Sequence, residues 1–208
     1  MSAPHQRTSG GARVAWWGLL SSAAAPVLLI GGWTAAATRQ RGGFDQVRET
    51  ISALAAIGAD DRWLMTTALA GLGICHLTTA TALHAARLPG RLVLAGGGLA
   101  TVLVAVFPLP AEDSGSLVHT AVAGTAFLAL AVWPALAWRR EAPALLHPGP
   151  SLGAAAALLA LVGWFGVELA TDSGRVGLAE RAAAGAQALW PLVVAWGCRS
   201  APEWREAT

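Results

Sequence analysis

The feature that most constrains this chain is a series of six long apolar stretches separated by short polar breaks. A membrane span needs about 20 mostly apolar residues. Stretches of that kind run from about 14 to 37, 62 to 86, 91 to 107, 116 to 138, 151 to 170 and 178 to 197. In lipid every backbone N–H and C=O needs a partner within the protein, and a helix supplies those partners from its own segment. The expected fold is therefore all-α: a polytopic transmembrane helical bundle of about six spans, forming one integral membrane domain over 1–208. Breakers fall where such a bundle needs them, at Leu88-Pro89-Gly90, at 142–150, and at Pro108 and Pro110 after the third span. Gly96, Gly97 and Gly98 in that span allow a neighbouring helix to approach closely.

Composition narrows the function classes. The chain is 55% hydrophobic and 12% charged, with a mean hydropathy of +0.53. Its net charge of +2 comes without a basic stripe that could track phosphates, so no nucleic-acid partner is expected. All its basic side chains other than histidine are arginines. Cys75 and Cys198 lie at depths unsuited to a mutual disulfide. The first apolar stretch lacks the short core and small-residue cleavage site of a signal peptide, and is expected to stay as a span.

Between the first two spans lies Gly42 to Asp61, GGFDQVRETISALAAIGADD. Read as a helix from about Asp45, it places Val47, Ile51 and Leu54 on one face and Asp45, Glu49 and Ser52 on the other. A short amphipathic helix of this kind lies in the membrane interface. One reading makes it a solvated connector with an anchored apolar side. The other makes it the lid of a polar pocket, with Glu49 pointing in.

Six spans put both termini on one side. That side collects Arg7, Arg13, Arg87, Arg91, Arg139, Arg140, Arg199 and Arg205; the other collects Arg39, Arg41, Arg48, Arg62, Arg175 and Arg181. The excess favours both termini in the cytoplasm of a bacterial cell (inner) membrane protein. The acids are far more lopsided: Asp45, Glu49, Asp60, Asp61, Glu112, Asp113, Glu168, Asp172 and Glu180 fall on the far side, against Glu141, Glu203 and Glu206. Acids do not set topology, so hydrated outer loops or a functional acidic face are the two readings.

Three of these acids, Glu49, Glu168 and Glu180, sit in or against helices. Glu168 closes the fifth span one turn after Trp164, on the same face and at the unfavourable end of the helix dipole, which suits a proton donor; pairing with Arg175 or Arg181 is the alternative. Glu180 opens the sixth span and shares a stripe with Gln187 and Pro191, which points the stripe inward, either to line a site or to join helices. Its place in the first turn also suits a capping role. His119 follows the acidic loop at 111–113 and can relay a proton with one of those acids, or be structural. His76 is deeper, beside Cys75. No metal-ligand spacing, P-loop, dinucleotide fingerprint or nucleophile elbow is present, so no metal and no cofactor are implied.

Of the ten tryptophans, Trp16, Trp17, Trp133, Trp138, Trp196 and Trp204 lie towards the cytoplasmic face, as an aromatic belt would. Trp33, Trp63 and Trp164 lie towards the acidic face and Trp190 near the middle. Singly these are belt or packing residues. Together with Gln187 they would wall a substrate pocket whose π faces steady a cation and whose closure excludes water.

The segments RETISALAAIGADDRWLM, FPLP, the following His119 and GLAERAAAGAQALWPL together resemble the bacterial integral-membrane family called domain of unknown function 998, over about Trp16 to Trp196. The resemblance implies a small multi-helix membrane protein and leaves activity open. At the level of class alone, the chain is similar to small actinobacterial membrane terpene cyclases of the drimentine type, with no catalytic motif matched residue by residue. The resulting expectation is a metal-independent membrane terpene cyclase acting on a hydrophobic small molecule, a prenylated and possibly indole-bearing compound. It partners the lipid bilayer and is linked in function to a prenyltransferase. Glu49 and Glu168 are the expected acid and partner, with Glu180 and Asp45 as further candidates and His119 as relay. The competing expectation is a non-enzymatic membrane protein, a proton-coupled transporter or an assembly partner.

Overall fold

The computed structural model describes residues 14–111, 115–171 and 173–199. Glu112, Asp113 and Asp172, and Arg7, Arg13, Glu203, Trp204, Arg205 and Glu206, lie outside them. Six α-helices follow in order: α1 (Trp16–Ala37), α2 (Trp63–Ala82), α3 (Leu88–Val106), α4 (Leu117–Ala137), α5 (Pro148–Thr171) and α6 (Val176–Arg199). Two 3-10 turns, Ala53–Ala55 and Ala144–Leu146, are the other regular pieces among the described residues. The helices alternate in direction. Each packs on its neighbour in the chain, and α6 returns to α1 to close the ring. The start of α1 and the end of α6 share one core cluster, in which Val14 and Cys198 meet Leu83, Leu94 and Trp133.

Five helices, α1 to α5, are long and apolar enough to cross a membrane. With 24 residues, α6 has the length, about 36 Å, but carries Glu180, Arg181 and Gln187. All three are buried, and so is Pro191, so the Glu180, Gln187 and Pro191 stripe turns inward as its spacing implied. The prolines of the 148–150 break sit in the first turn of α5, and Pro89 sits in that of α3. A missing N–H costs nothing there, so these prolines start helices as well as separating them.

Close approach of α2 and α3 depends on glycine. A Cβ on Gly73 would meet the Gly98 carbonyl oxygen at 2.5 Å, and one on Gly98 would meet the Gly73 carbonyl oxygen at 2.7 Å. Gly97 packs against Leu130 of α4, whereas Gly96 has open space around it.

The segment between α1 and α2 is not the amphipathic helix its apolar spacing suggested. It is a run of turns closed by the 3-10 turn Ala53–Ala55. Ile51 and Leu54 are buried, yet Val47 is 43% exposed, so the three share no face. The physical reason is that its backbone groups are claimed from outside. Arg181 takes the carbonyls of Gln46 and Glu49, the Leu178 N–H takes that of Val47, and the Leu109 carbonyl takes the Ile57 N–H. A helix would need those same groups for itself. A second correction concerns Trp133, which spacing put in the aromatic belt: it is wholly buried in the core. Trp16 and Trp196, by contrast, are 75% and 58% exposed, as belt residues are.

Candidate functional site

Beneath the turns of 44–56, inside the bundle, lies a cavity of about 60 Å³. Leu29, Leu69, Leu72, Val104, Phe127 and Leu130 make its walls apolar, and Ser52, His76, Thr101, Glu180 and Gln187 bring polar groups to it. Among the described residues, Glu180 is the one carboxylate in its wall. Glu180 is 3% exposed and reaches there from the first turns of α6.

Its two oxygens have separate tasks. Oε2 accepts the backbone N–H of Ile51, and Oε1 lies 3.4 Å from the Ser52 hydroxyl. The Ser52 Oγ lies 3.1 Å from Nε2 of His119, and His119 Nδ1 lies 2.9 Å from the Phe107 carbonyl oxygen. These contacts form a chain from Phe107 through His119 and Ser52 to Glu180, and its protons can be counted. A carbonyl only accepts, so Nδ1 carries a hydrogen. Two links remain, and the Ser52 hydroxyl has one hydrogen to give. The other link is filled in one of two ways. Either Glu180 is a carboxylic acid donating to Ser52, which donates to His119, or His119 is an imidazolium donating to Ser52, which donates to a Glu180 carboxylate. The fully bonded chain therefore holds one proton that can sit at either end. Moving it takes two proton transfers, one into and one out of the Ser52 hydroxyl.

Arg181, next in sequence, holds the roof. Its Nη1 donates to the carbonyl oxygens of Gln46, Glu49 and Gly177 at 2.9, 2.8 and 3.0 Å. The guanidinium lies over the rings of Trp33 and Phe44, 5.8 and 5.5 Å from their centres. Bonds from a cation to carbonyls are among the stronger ones, and this one is 9% exposed. Glycine at 177 is what lets α6 come so near, since a Cβ there would collide with the Glu49 carbonyl.

The structure gathers some of the expected residues and disperses others. Glu180, Gln187 and His119 converge on the cavity or its chain. Gln187 also donates to the Phe127 carbonyl oxygen at 2.8 Å, so it joins α6 to α4 while lining the cavity. Glu49 does not point in: its carboxylate accepts the Asp45 N–H at 2.6 Å, and its contribution to the site is its backbone carbonyl. Asp45 is exposed and caps the turn through Val47 N–H. Glu168 is 3% exposed but lies off the cavity, accepting the Trp164 indole N–H at 2.8 Å with Arg175 at 3.3 Å. That is the pairing with arginine weighed as its alternative. His119 meets Glu180 through Ser52 and not an acid of the 111–113 loop.

The tryptophan box is not assembled around the cavity. Trp33 stacks on Arg181, Trp164 binds Glu168, Trp190 packs against the core cluster at the other end, and Trp63 is 60% exposed. The cavity's aromatic wall is Phe127. Three contributors went unselected in the sequence. Ser52 was visible only as a polar residue on the face of the expected helix, Arg181 as the neighbour of Glu180 and an alternative partner of Glu168, and His76 as a deep histidine. His76 is 1% exposed, lines the cavity, and neither ring nitrogen has a hydrogen-bond partner among the described residues.

Six helices in a closed ring, five of them apolar over a membrane's thickness, with polar groups turned inward, define a multi-pass helical membrane protein. Within that class, residues 22–197 match the family described as protein of unknown function (DUF998), and the chain belongs to it. No curated protein and no solved structure matches the chain.

Proposed function

We propose that this protein is a membrane-embedded acid–base catalyst acting on an apolar small molecule, and that its reaction is the proton-initiated cyclisation of an isoprenoid chain. The observation that carries this reading is the position of Glu180. It is the carboxyl in the wall of an apolar cavity, and it is bonded through Ser52 to His119. In the reaction the Glu180 carboxylic acid gives its proton to a terminal alkene carbon. The alkene electron pair forms the new C–H bond and leaves a tertiary cation. The next alkene closes on that cation to make the ring. Loss of a ring proton to Ser52, which lines the cavity and passes its own proton to His119, forms the final double bond, and the chain then returns a proton to Glu180. Protons given and taken balance, so the product has the mass of the substrate.

The roof of the cavity is the Ile51–Ser52 turn, and an isoprenoid enters as that turn lifts. The cavity as it stands has the volume of about two waters. This observation, with the tryptophans lying elsewhere, favours a second reading: a proton-coupled transporter in which the same chain carries the coupled proton.

Membranes containing the protein are incubated with a prenylated indole, beside heat-treated membranes, and products are followed by mass spectrometry. A new product of unchanged mass is expected. No product across several prenyl donors and their epoxides, together with solute-dependent acidification in proteoliposomes, would replace cyclisation by transport.

A further inference from the structure

The opposite end of the bundle carries a second concavity, of about 240 Å³, lined by Arg87, Trp138, Arg139, Arg140 and Glu141. These residues come from two connections distant in sequence, α2–α3 and α4–α5. The fold holds them together through backbone contacts. The Arg87 N–H donates to the Ala137 carbonyl oxygen at 2.9 Å, and the Arg139 N–H to that of Leu146 at 2.8 Å. Gly90 allows the approach: a Cβ there would lie 2.5 to 2.6 Å from Ala137 backbone atoms.

We propose that this cleft binds the headgroup of an anionic phospholipid. The argument rests on charge, depth and shape. Three arginines and one glutamate line it, and among the described residues none of the three arginines is in a salt bridge. The cleft lies where α3 begins and α4 ends, at the level where apolar helix gives way to polar connection, which is the depth of lipid phosphates. The Arg87 guanidinium lies over the Trp138 ring, 5.4 Å from its centre, which holds its donor fork in place. Guanidinium forks match phosphate oxygens in pairs, where an ammonium acts as a point charge. From the cleft, α3 presents Leu88 and Leu92, 58% and 62% exposed and one turn apart, as a track for an acyl chain. The attached chain is what distinguishes a lipid from a free phosphate here.

The test is native mass spectrometry of the purified protein titrated with phosphatidylglycerol and phosphatidylcholine of matched chains. Retention of one phosphatidylglycerol with a preference of about tenfold or more is expected. The combined R87Q, R139Q and R140Q variant is expected to lose that preference. Glu141→Gln, which removes the opposing charge from an exposed residue, is expected to strengthen it, and this keeps the test decisive if the triple variant fails to fold. Equal retention of the two lipids, or a preference unchanged in both variants, would overturn the proposal. Displacement of the lipid by an equal concentration of glycerol phosphate would overturn it too, because the site would then read the phosphate alone.

Discussion

Glu180 on α6 accepts the backbone N–H of Ile51, a residue 129 positions earlier in the chain. One carboxyl thus fastens the turn that roofs the cavity and presents its other oxygen to Ser52. Replacing it by glutamine keeps an oxygen for Ile51 but removes the transferable proton. Glu180→Gln is therefore expected to fold with a nearly unchanged melting temperature and to lose activity by about 10²-fold or more. Glu180→Leu strands a buried N–H as well, and is expected to lose about 1–3 kcal/mol of stability. Melting curves in detergent and product formation by mass spectrometry separate the two effects; a fully active Glu180→Gln would remove Glu180 as donor.

Ser52 and His119 act in series if the chain returns the proton. Ser52→Ala and His119→Gln are each expected to slow turnover, and the double variant is expected to be no slower than the worse single one. Additive losses in a double-mutant cycle would mean that the two residues work independently.

The Arg181 guanidinium binds three backbone carbonyls from a buried position, so removing it leaves those carbonyls without a strong donor. Arg181→Met is expected to destabilise by about 1–3 kcal/mol, because buried carbonyls lose their charged donor. The loss should be local first: amide hydrogen exchange should rise across 44–56 before it rises in α2 or α3. Gly177→Ala is expected to give the same local pattern, because its Cβ displaces the Glu49 carbonyl. Exchange that rises uniformly would show that the roof is not a separate unit.

Glu168 provides the contrast. Its carboxylate is engaged by Trp164 and Arg175 away from the cavity. Glu168→Gln is expected to keep turnover within about threefold while altering the Trp164 fluorescence, since the indole N–H then meets a neutral amide. Loss of turnover comparable to that of Glu180→Gln would move the proton donor to α5.

His76 makes no side-chain hydrogen bond among the described residues, so replacing it breaks none there. His76→Leu is expected to leave the melting temperature unchanged or raised, and a clear fall would mean that its ring is bonded to an occupant of the cavity.

Much of the architecture was legible because it follows from local physics. Apolar runs of span length, broken at Pro89, Pro108 and Pro148, define helices wherever the backbone must bond itself, and the structure has them there. The Glu180, Gln187 and Pro191 stripe was readable as an inward face because helical spacing fixes which residues share a side. Trp164 and Glu168 were readable as a pair for the same reason. The site was less legible. Glu49 looked aimed at a pocket only on the assumption of a helix, and that helix gives way to bonds from α6 that no local pattern encodes.

By itself, then, the sequence determined the class of molecule: a bundle of about six apolar helices, with the polar stripe of the last one turned inward. That is decided by the cost of exposing backbone and charge to hydrocarbon, which every segment meets separately. Only the tertiary structure decided which acid meets which histidine, that Ser52 stands between them, that Arg181 holds the roof, and that the tryptophans go to four different places. Those outcomes rest on contacts between residues 60 to 135 positions apart. They depend on close glycine contacts, between α2 and α3 at 73 and 98 and between α6 and the 46–49 turn at 177, which spacing along one helix cannot specify.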